Sequence, residues 1–436
     1  MVYTHITELI GNTPLLRLDP AVHGLPDVDL YAKLESHNPF GSVKDRVAWA
    51  MIRDDLDTVA AGGQSFIEAS SGNTAKALRV LGALHGIPLR AVTNRIRVSE
   101  VRQLLQLLGT EIVELPGLSE CPDPHAADDV SAVIDQTTSQ APDHWFHPSQ
   151  YTNERNIAAH HDGTGTEIAS DLAQAGITDL DYLIGGLGTT GSTRGTATAL
   201  LPQHPGLRTI GVVSDRFDFI PGIRSEREMW DVGLFRPDFY DEIVTVDSAA
   251  AISATLDLVH GYGVLAGPTS GAAYFAALRT LSAAPRPEGR PLVAVLIVCD
   301  RIEPYLSYFA KRRPDLFGKP AAPTPPSPAD AAPTLSPAAL AELDRTGRPT
   351  IVDTRGAMAY RVGHVPGAVN IRDDQLDDLL AQGVPFPRSR PVVFVCPVGE
   401  TSQRFAASAH AAGFDAFGLA GGMVAWRDAG LPMERG

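Results

Sequence analysis

The sequence predicts an α/β protein in which parallel sheets are covered by helices. Short apolar runs such as residues 89–93 and 209–214 have the length and composition of buried strands. Segments with helical periodicity, for example residues 100–108, lie between such runs. Buried strands that alternate with helices are typical of parallel sheets, because the crossover connections place helices on the sheet faces.

A change of composition divides the chain into two domains. Residues 317–334 are rich in proline and alanine and offer little to bury, which is typical of a semi-extended linker. Residues 1–316 precede this linker and form the larger predicted unit. Residues 335–436 follow it and are long enough for a small α/β domain.

The composition excludes several classes of function. The 436 residues carry a formal net charge of −15, which argues against nucleic acid or an anionic membrane as a partner. No apolar run reaches the roughly 18 residues that a membrane helix needs, and the N-terminus lacks a signal-peptide pattern. Cys121, Cys299 and Cys396 are too few and too scattered for a disulfide framework, so we expect a cytoplasmic protein. No metal site is predicted.

Lys44 occupies a setting in which a lysine can do chemistry. It follows a turn at residues 38–42, NPFGS, and precedes an amphipathic helical segment at residues 45–52. A lysine that is partly desolvated near the positive end of a helix is more readily neutral, and the neutral amine condenses with aldehydes. The alternative is a solvated lysine in the first turn of a helix.

Three other stretches each read as a strand, a loop rich in small polar residues and a helix. They are IEASSGNTAKAL at residues 67–78, YLIGGLGTTGSTRGTATAL at residues 182–200 and VLAGPTSGAAYF at residues 264–275. Loops of this kind place backbone N–H groups at a helix N-terminus, where a carboxylate or a phosphate can bind. The alternative is that these glycines and serines form ordinary turns and helix caps.

Together with ELIGNTPLLRL at residues 8–18, these stretches resemble the fold type II pyridoxal-phosphate enzymes, in particular the cysteine synthase and cystathionine β-synthase group. The resemblance implies two α/β subdomains within residues 1–316, pyridoxal 5′-phosphate as the cofactor, and a homodimer. It assigns cofactor binding to Lys44, Asn73, Gly188, Thr189, Thr190, Gly191, Ser192 and Ser270.

The resemblance also implies a role for each group. Lys44 would form the internal aldimine and move the α-proton, and Asn73 would bind the phenolic oxygen of the cofactor. Ser270 would face the pyridine nitrogen; a hydroxyl there leaves that nitrogen largely unprotonated, which suits β-elimination followed by β-addition. The substrate carboxylate would be held by Ser70, Ser71, Gly72, Thr74 and Gln150.

Two features depart from the family pattern. Ala75 and Lys76 follow Thr74 where a glycine and an apolar residue are usual, and DRIEPYLSYF at residues 300–309 differs from the usual ending. We expect Lys76 to point to solvent; the alternative is that Lys76 adds positive charge near the entrance of the site.

The block after the linker resembles a rhodanese domain over its whole length. The residues that carry the resemblance are PTIVDTR, GHVPGAVNI, PVVFVCPVGETSQRF and LAGGMVAWRDAGLPM. Cys396 ends a buried strand and faces a helix start, where loop N–H groups stabilise a thiolate that can carry a sulfane sulfur. The alternative is a buried structural cysteine, as we assume for Cys299. Thr401 stands where an arginine is common, which favours a persulfide donor over a small anion such as thiosulfate.

The leaving group and the nucleophile are less sharply predicted. Arg224, in RFDFIPGIRSERE, is a candidate for binding the phosphate of O-phosphoserine, because a guanidinium suits a phosphate dianion. It is equally compatible with a solvated loop arginine. QYTNERN and HHDGTGTEI resemble the branch that makes a 2,3-diaminopropionate precursor, and GLGTTGS resembles the branch that takes sulfur from a carrier protein.

We therefore predict β-replacement on O-phosphoserine or O-acetylserine through an aminoacrylate, with cysteine synthase-type sulfur incorporation supplied by the fused rhodanese. The alternatives are an amine nucleophile, a cysteine β-lyase (desulfhydrase) that runs in the opposite direction, and a non-enzymatic scaffold. The predicted partners are small amino-acid substrates, a sulfur donor or sulfur-carrier protein and a second copy of the chain, without nucleic acid or membrane.

Overall fold

The computed structural model describes residues 2–93, 96–115, 130–215, 218–225, 229, 232–318, 332–347 and 349–435. These residues form two compact units, one from within residues 1–113 and 134–318 and the other chiefly from within residues 319–436. Cys121, most of the predicted linker and part of the loop that contains Arg224 lie outside the described residues. The domain boundaries at 316 and 335 remain predictions.

Strands and helices alternate in the first unit, and the α/β class is confirmed. The strands are β1 (Leu15–Leu18), β2 (Val28–Leu34), β3 (Ser65–Ala69), β4 (Leu89–Thr93), β5 (Glu111–Glu114), β6 (Trp145–Phe146), β7 (Tyr182–Gly186), β8 (Arg208–Ser214), β9 (Glu242–Val246) and β10 (Leu292–Val298). The helices are α1 (Pro20–His23), α2 (Lys44–Ile52), α3 (Leu56–Ala61), α4 (Asn73–Ala83), α5 (Ser99–Leu107), α6 (Val130–Gln140), α7 (Arg155–Ala159), α8 (Thr166–Gln174), α9 (Gly191–Leu200), α10 (Ser248–Tyr262), α11 (Pro268–Ala283) and α12 (Leu306–Arg312).

The strands form two sheets. A six-stranded sheet has the order β1-β2-β10-β7-β8-β9, and all its pairs are parallel except β1 with β2. A four-stranded sheet has the order β5-β4-β3-β6. All seven residues of β10, LVAVLIV, are buried, as expected for a central strand that is covered on both faces.

This topology places the loops that carry the predicted site residues at the carboxyl ends of parallel strands. The loop after β3 leads into α4, the loop after β7 leads into α9, and β10 ends beside the start of α2. In open parallel sheets this edge is where ligands bind.

The expected strand at the start of residues 264–275 is wrong. Only Ala266 forms an isolated bridge, with Arg301. Gly263 ends α10 in the left-handed conformation and Pro268 begins α11, so the four residues between them, 264–267, serve as a short connection between two helices.

The second unit contains a five-stranded sheet of order β11-β15-β14-β12-β13, whose pairs are all parallel. Its strands are β11 (Thr334–Leu335), β12 (Thr350–Asp353), β13 (Val369–Asn370), β14 (Val392–Val395) and β15 (Ala416–Leu419). Its helices are α13 (Pro337–Gly347), α14 (Ala357–Val362), α15 (Asp373–Gln382), α16 (Glu400–Ala411) and α17 (Gly422–Asp428). Across the described ranges of both units, no helix has the length and apolar character needed to cross a lipid bilayer.

Candidate active site

Lys44 is the first residue of α2, and the turn before it is fixed to the end of β10. The backbone N–H of Val43 donates to the carbonyl of Cys299 at 2.8 Å, and Ser42 forms a β-bridge with Asp300. The Asp45 carboxylate accepts hydrogen bonds from the Phe40 N–H (2.6 Å) and the Ser42 hydroxyl (3.0 Å), which closes the turn. The backbone of Lys44 is therefore held rigidly against the carboxyl edge of the sheet.

The Lys44 amine is desolvated. Burial lowers its pKa below the usual range for lysine, and nearby acidic groups, including Asp300 and Glu35, oppose that shift. A lysine in this state yields the neutral amine more readily than a surface lysine does, as the condensation chemistry requires.

Ser270 lies in the first turn of α11 and meets the same end of β10. Its Oγ accepts a hydrogen bond from the Cys299 N–H at 2.9 Å, so the hydroxyl hydrogen remains available as a donor. The backbone of Cys299 therefore binds both segments of the candidate site. Its carbonyl accepts from the N–H of Val43, the residue before Lys44, and its N–H donates to Ser270. Burial raises the pKa of the Cys299 thiol to about 12, in keeping with a structural cysteine.

The loop before α4 brings most of the predicted carboxylate-binding residues together. Ser70 Oγ accepts from the N–H groups of Gly72 (3.3 Å) and Ala75 (3.1 Å) and so caps the helix. Thr74 donates its hydroxyl to Oε1 of Gln150 at 2.7 Å. Ser71 is exposed at the mouth of the loop.

Gln150 is fixed from several sides. Its Nε2 donates to the Ala69 carbonyl at 2.6 Å, and its backbone carbonyl accepts from Nδ2 of Asn156 at 2.8 Å. Asn156 in turn donates to the hydroxyl of Thr189 at 2.9 Å. The loop before α4 and the loop before α9 are therefore joined through Gln150 and Asn156.

The loop of residues 188–192 has the features of a phosphate site. Thr190 lies in the left-handed conformation, and its buried Oγ1 has no hydrogen-bond partner. A Cβ on Gly188 would lie 2.9 Å from the Gly222 carbonyl, and one on Gly191 would lie 1.9 Å from Asn156 Oδ1, so both positions need glycine. The N–H groups of the first turn of α9 have no intrahelical acceptor. Pyridoxal phosphate fits this set, with a phosphate at the α9 terminus and a hydroxyl for the ring nitrogen at Ser270.

Asn73 has a partner that the sequence did not indicate. Its Nδ2 donates to Oδ2 of Asp300 at 2.7 Å, and the hydroxyl of Tyr305 donates to the same carboxylate oxygen. Asp300 and Tyr305 come from the stretch that departs from the family ending. The one available signal was a carboxylate directly after a buried strand, VAVLIVCD.

The buried charges behind α2 were also missed. Arg46 donates to both carboxylate oxygens of Glu35 (2.7 and 2.9 Å) and to both of Glu167 (2.7 Å each). Lys33, fully buried, lies 3.0 Å from Glu167 and 3.3 Å from Asp171. Burial disfavours the charged form of Glu167, but Arg46 and Lys33 outweigh that effect and lower its pKa to about 2.

Lys76 does not point into solvent as expected. The residue is half-buried in the first turns of α4, and Asp45 and Asp300 are the acidic groups that act on it. Burial lowers the pKa of the Lys76 amine, and the two carboxylates oppose that shift. The alternative of added positive charge at the site agrees better with this placement.

Arg224 lies beside the loop of residues 188–192. Its N–H donates to the Leu187 carbonyl at 2.9 Å, and its own carbonyl accepts from Ser214 at 3.0 Å. The guanidinium carbon lies 4.7 Å from the ring centroid of Tyr151, the neighbour of Gln150. The half-buried guanidinium is therefore held at the rim of the candidate site.

In the second unit, Cys396 follows β14 and is fully buried. Its Sγ accepts from the Gly399 N–H at 3.1 Å and lies 3.4 Å from the Ser402 hydroxyl. Gly399 adopts a φ of 92° immediately before α16, so the loop curls around the sulfur. Thr401, also buried, lies in the first turn of α16.

Two protein-family profiles match the chain, one in each of its two predicted domains. The profile of the family described as pyridoxal-phosphate dependent enzyme matches residues 6–300. The profile of the rhodanese-like domain matches residues 336–429.

Three relatives cover the first unit. A cysteine synthase of Aquifex aeolicus is 31% identical over 306 residues, 69% of this chain and 90% of the relative. An N-(2-amino-2-carboxyethyl)-L-glutamate synthase of Cupriavidus metallidurans is 32% identical over 313 residues, 70% of this chain and 89% of the relative. The crystal structure of an O-acetylserine dependent cystathionine beta-synthase from Helicobacter pylori superposes with a TM-score of 0.59 at 28% identity, covering 70% of this chain and 98% of that one.

Proposed function

Because the chain belongs to the pyridoxal-phosphate dependent enzyme family, is cysteine synthase-like and carries a rhodanese-like domain, we propose that it replaces the leaving group of an activated L-serine with sulfur. The activated serine is O-phosphoserine or O-acetylserine, and the fused rhodanese-like domain supplies the sulfur. The cytoplasmic location and the homodimer remain predictions.

One observation carries the proposal. The backbone of Cys299 binds Val43, beside the desolvated Lys44, and Ser270, which has a hydroxyl hydrogen to donate. An amine and a hydroxyl donor are thus fixed at the same end of β10. Bound pyridoxal phosphate would supply an electron sink that allows the α-proton and the β-substituent of an amino acid to leave.

The residues of the chain then have distinct tasks. The Lys44 amine holds the cofactor and, once released from it, removes and returns the proton at the substrate Cα. The N–H groups before α9, with Thr190 Oγ1, bind the phosphate. Ser270 donates to the ring nitrogen without protonating it fully, which favours loss and addition at Cβ.

The substrate carboxylate is assigned to the loop before α4. The hydroxyl hydrogen of Ser70 is free to donate, because its oxygen already accepts from two N–H groups. Thr74 and Gln150 hold each other in place and line the same loop. Nδ2 of Asn73 donates to Asp300 at 2.7 Å and to the Tyr305 hydroxyl at 3.4 Å, and both acceptors lie together. One amide hydrogen can serve both of them, and the second would bind the phenolic oxygen of the cofactor.

The sulfur route uses Cys396 as a carrier. A Cys396 persulfide reacts with two external thiols to release hydrogen sulfide, regenerate the Cys396 thiolate and form the disulfide of those thiols. The sulfide then adds to the β-carbon of the serine-derived substrate. The loop around Sγ, with the Gly399 N–H directed at it, supports a stabilised thiolate.

A second candidate is addition of an amine. The 32% identity to the N-(2-amino-2-carboxyethyl)-L-glutamate synthase supports this route, as does an arginine at the rim of the site. An amine acceptor such as glutamate would then replace sulfide as the nucleophile. Supplying O-phosphoserine with sulfide or with glutamate, and identifying products by mass spectrometry, separates the two candidates.

The proposal is tested first at Lys44. After borohydride reduction of the full-length protein, the peptide that contains Lys44 should carry the mass of the reduced cofactor. Lys44→Ala should lose this adduct and all β-replacement activity while it still folds. An adduct on another lysine in the wild-type protein would refute the assignment.

A further inference from the structure

The Asp300 carboxylate is an unusual neighbour for a cofactor site. It is 4% exposed, and its Oδ1 is buried without a hydrogen-bond partner. The other oxygen accepts from both Asn73 and Tyr305. A Cβ on Gly267 would lie 2.1 Å from Oδ1, so the backbone closes that side. An ionised carboxylate in this position needs positive charge nearby.

Two lysines supply positive charge to Asp300, Lys44 from α2 and Lys76 from α4. Lys44 is assigned to the cofactor and gains and loses a proton in the proposed reaction. Its charge is therefore not constant. Lys76 is the remaining cation, and it lies one helical turn after Asn73, on the same side of α4.

Asp45, the other acidic group that acts on Lys76, is already satisfied by the hydrogen bonds of the turn before α2. Asp300 has one oxygen, Oδ1, that accepts no hydrogen bond. Lys76 therefore serves both carboxylates: the charge of Asp45 acts on it more strongly, and Asp300 is the one with an oxygen that lacks a hydrogen-bond donor.

We propose that Lys76 is a positioning residue that keeps Asp300 ionised, so that Asp300 fixes the carboxamide of Asn73 with its NH2 group directed at the phenolic oxygen of the cofactor. An ionised Asp300 can only accept hydrogen bonds, and this determines which end of the Asn73 amide faces it. A neutral Asp300 binds the amide more weakly and removes that constraint. This inference rests on the role proposed for Asn73.

The direction of the pH effect follows from the groups around Asp300. Burial raises its pKa, while the Tyr305 and Asn73 hydrogen bonds and the charges of Lys76 and Lys44 oppose that rise. Removing the Lys76 charge therefore raises the pKa of Asp300 further. Asp300 then becomes neutral at a higher pH, and cofactor affinity should begin to fall at a higher pH during acidification.

The experiment measures the dissociation constant of pyridoxal phosphate for the full-length protein as a function of pH. It compares wild type with Lys76→Met, which keeps length and loses charge, with Lys76→Arg, which keeps charge, and with the exposed control Lys311→Met. Lys76→Met should bind the cofactor about tenfold more weakly on the acidic side, the size expected for one hydrogen bond, with its midpoint moved to higher pH. Lys76→Arg and Lys311→Met should follow the wild type.

A second measurement uses the protein without cofactor. The chain has five lysines, so the Lys76 signal can be assigned after ¹³C-methylation of the amines. Asp300→Asn should lower the pKa of Lys76, because it removes an anion that favours the charged amine. This result is independent of the Lys44 adduct, so the inference and the proposed function can fail separately.

If cofactor affinity depended on pH in the same way in Lys76→Met and Lys76→Arg, the charge at position 76 would have no effect, and the proposal would be overturned. So would a lower melting temperature for Lys76→Met with an unmoved pH midpoint, which would make Lys76 merely a packing residue. An unchanged Lys76 titration in Asp300→Asn would also overturn it.

Discussion

The hydroxyl of Thr74 donates to Oε1 of Gln150 at 2.7 Å, and this bond ties the first turn of α4 to a residue 76 positions later. Because Gln150 also binds the Ala69 carbonyl, its side chain has a single orientation. The rigidity of the loop before α4, which we propose to bind the substrate carboxylate, therefore depends on a contact between two distant segments.

Thr74→Val should weaken amino-acid binding. Valine has the shape of threonine but leaves Gln150 Oε1 without its donor, which costs about 1–3 kcal/mol. We expect the KM for the amino-acid substrate to rise roughly 5- to 100-fold, with a smaller change in cofactor affinity. Steady-state kinetics and a cofactor titration measure both quantities. Thr74→Ser keeps the hydroxyl and should retain most of the affinity; if it matched Thr74→Val, the bond would not be the cause.

Arg224→Ala should discriminate between donors. Loss of one charge-assisted contact of about 1.5–3 kcal/mol would raise the KM for O-phosphoserine roughly 10- to 100-fold and leave that for O-acetylserine nearly unchanged. Arg224→Lys keeps a positive charge but not the planar guanidinium, so its KM for O-phosphoserine should lie between those of wild type and Arg224→Ala. Equal losses for both substrates would instead indicate that the loop beside Leu187 had been disturbed.

Cys396→Ser should separate the two sources of sulfur. Synthesis from free sulfide needs only the first unit and should remain at the wild-type rate, whereas synthesis from a sulfane-sulfur donor plus thiol should be lost. Product formation with each source is the measurement, and Cys299→Ser, in a cysteine buried beside Ser270, tests whether the other described thiol takes part in transfer. If Cys396→Ser lowered both activities equally, or neither, amine addition would become the leading function.

Glu167 should make stability depend on pH in the acidic range. The pKa of Glu167 in the folded protein is about 2, below the ordinary value of 4.5. Its contribution to folding stability is therefore complete above pH 4.5 and is lost as the pH falls towards 2. Glu167→Gln should be less stable at neutral pH, and its difference from wild type should shrink across this window. Urea unfolding at several pH values measures it. Asp57→Asn, at an exposed carboxylate, is the control. If its stability difference from wild type shrank across the same pH window, the contacts of Glu167 with Arg46 and Lys33 would not be the cause.

Local patterns predicted the parts of the site that one segment determines. The turn at residues 38–42 predicted a helix start directly after Lys44, and α2 begins one residue earlier, at Lys44 itself. The glycines after β7 predicted the loop before α9. Both signals depend on residues within a few positions of each other. The strand at Val264 was wrong because an apolar run does not reveal a helix boundary on either side of it.

The contacts that the sequence did not reveal join distant segments. Asn73 and Asp300 are 227 positions apart, and Arg46 and Glu167 are 121 apart. Asp300, whose charge acts on Lys76, likewise reaches α4 only after β10 is in place. Propensity and periodicity describe neighbours in the chain, so they carry no information on which polar groups meet across the sheet.

The central position of β10 has a consequence for synthesis on the ribosome. β2 and β7 both pair with β10, yet β7 ends at Gly186 and β10 begins at Leu292. A nascent chain therefore exposes two unpaired strand edges until residue 298 has emerged, and such edges are prone to pairing with other chains. Val43 and Ser270 cannot both bind Cys299 before that residue has emerged, so the candidate site stays incomplete until the first unit is almost finished.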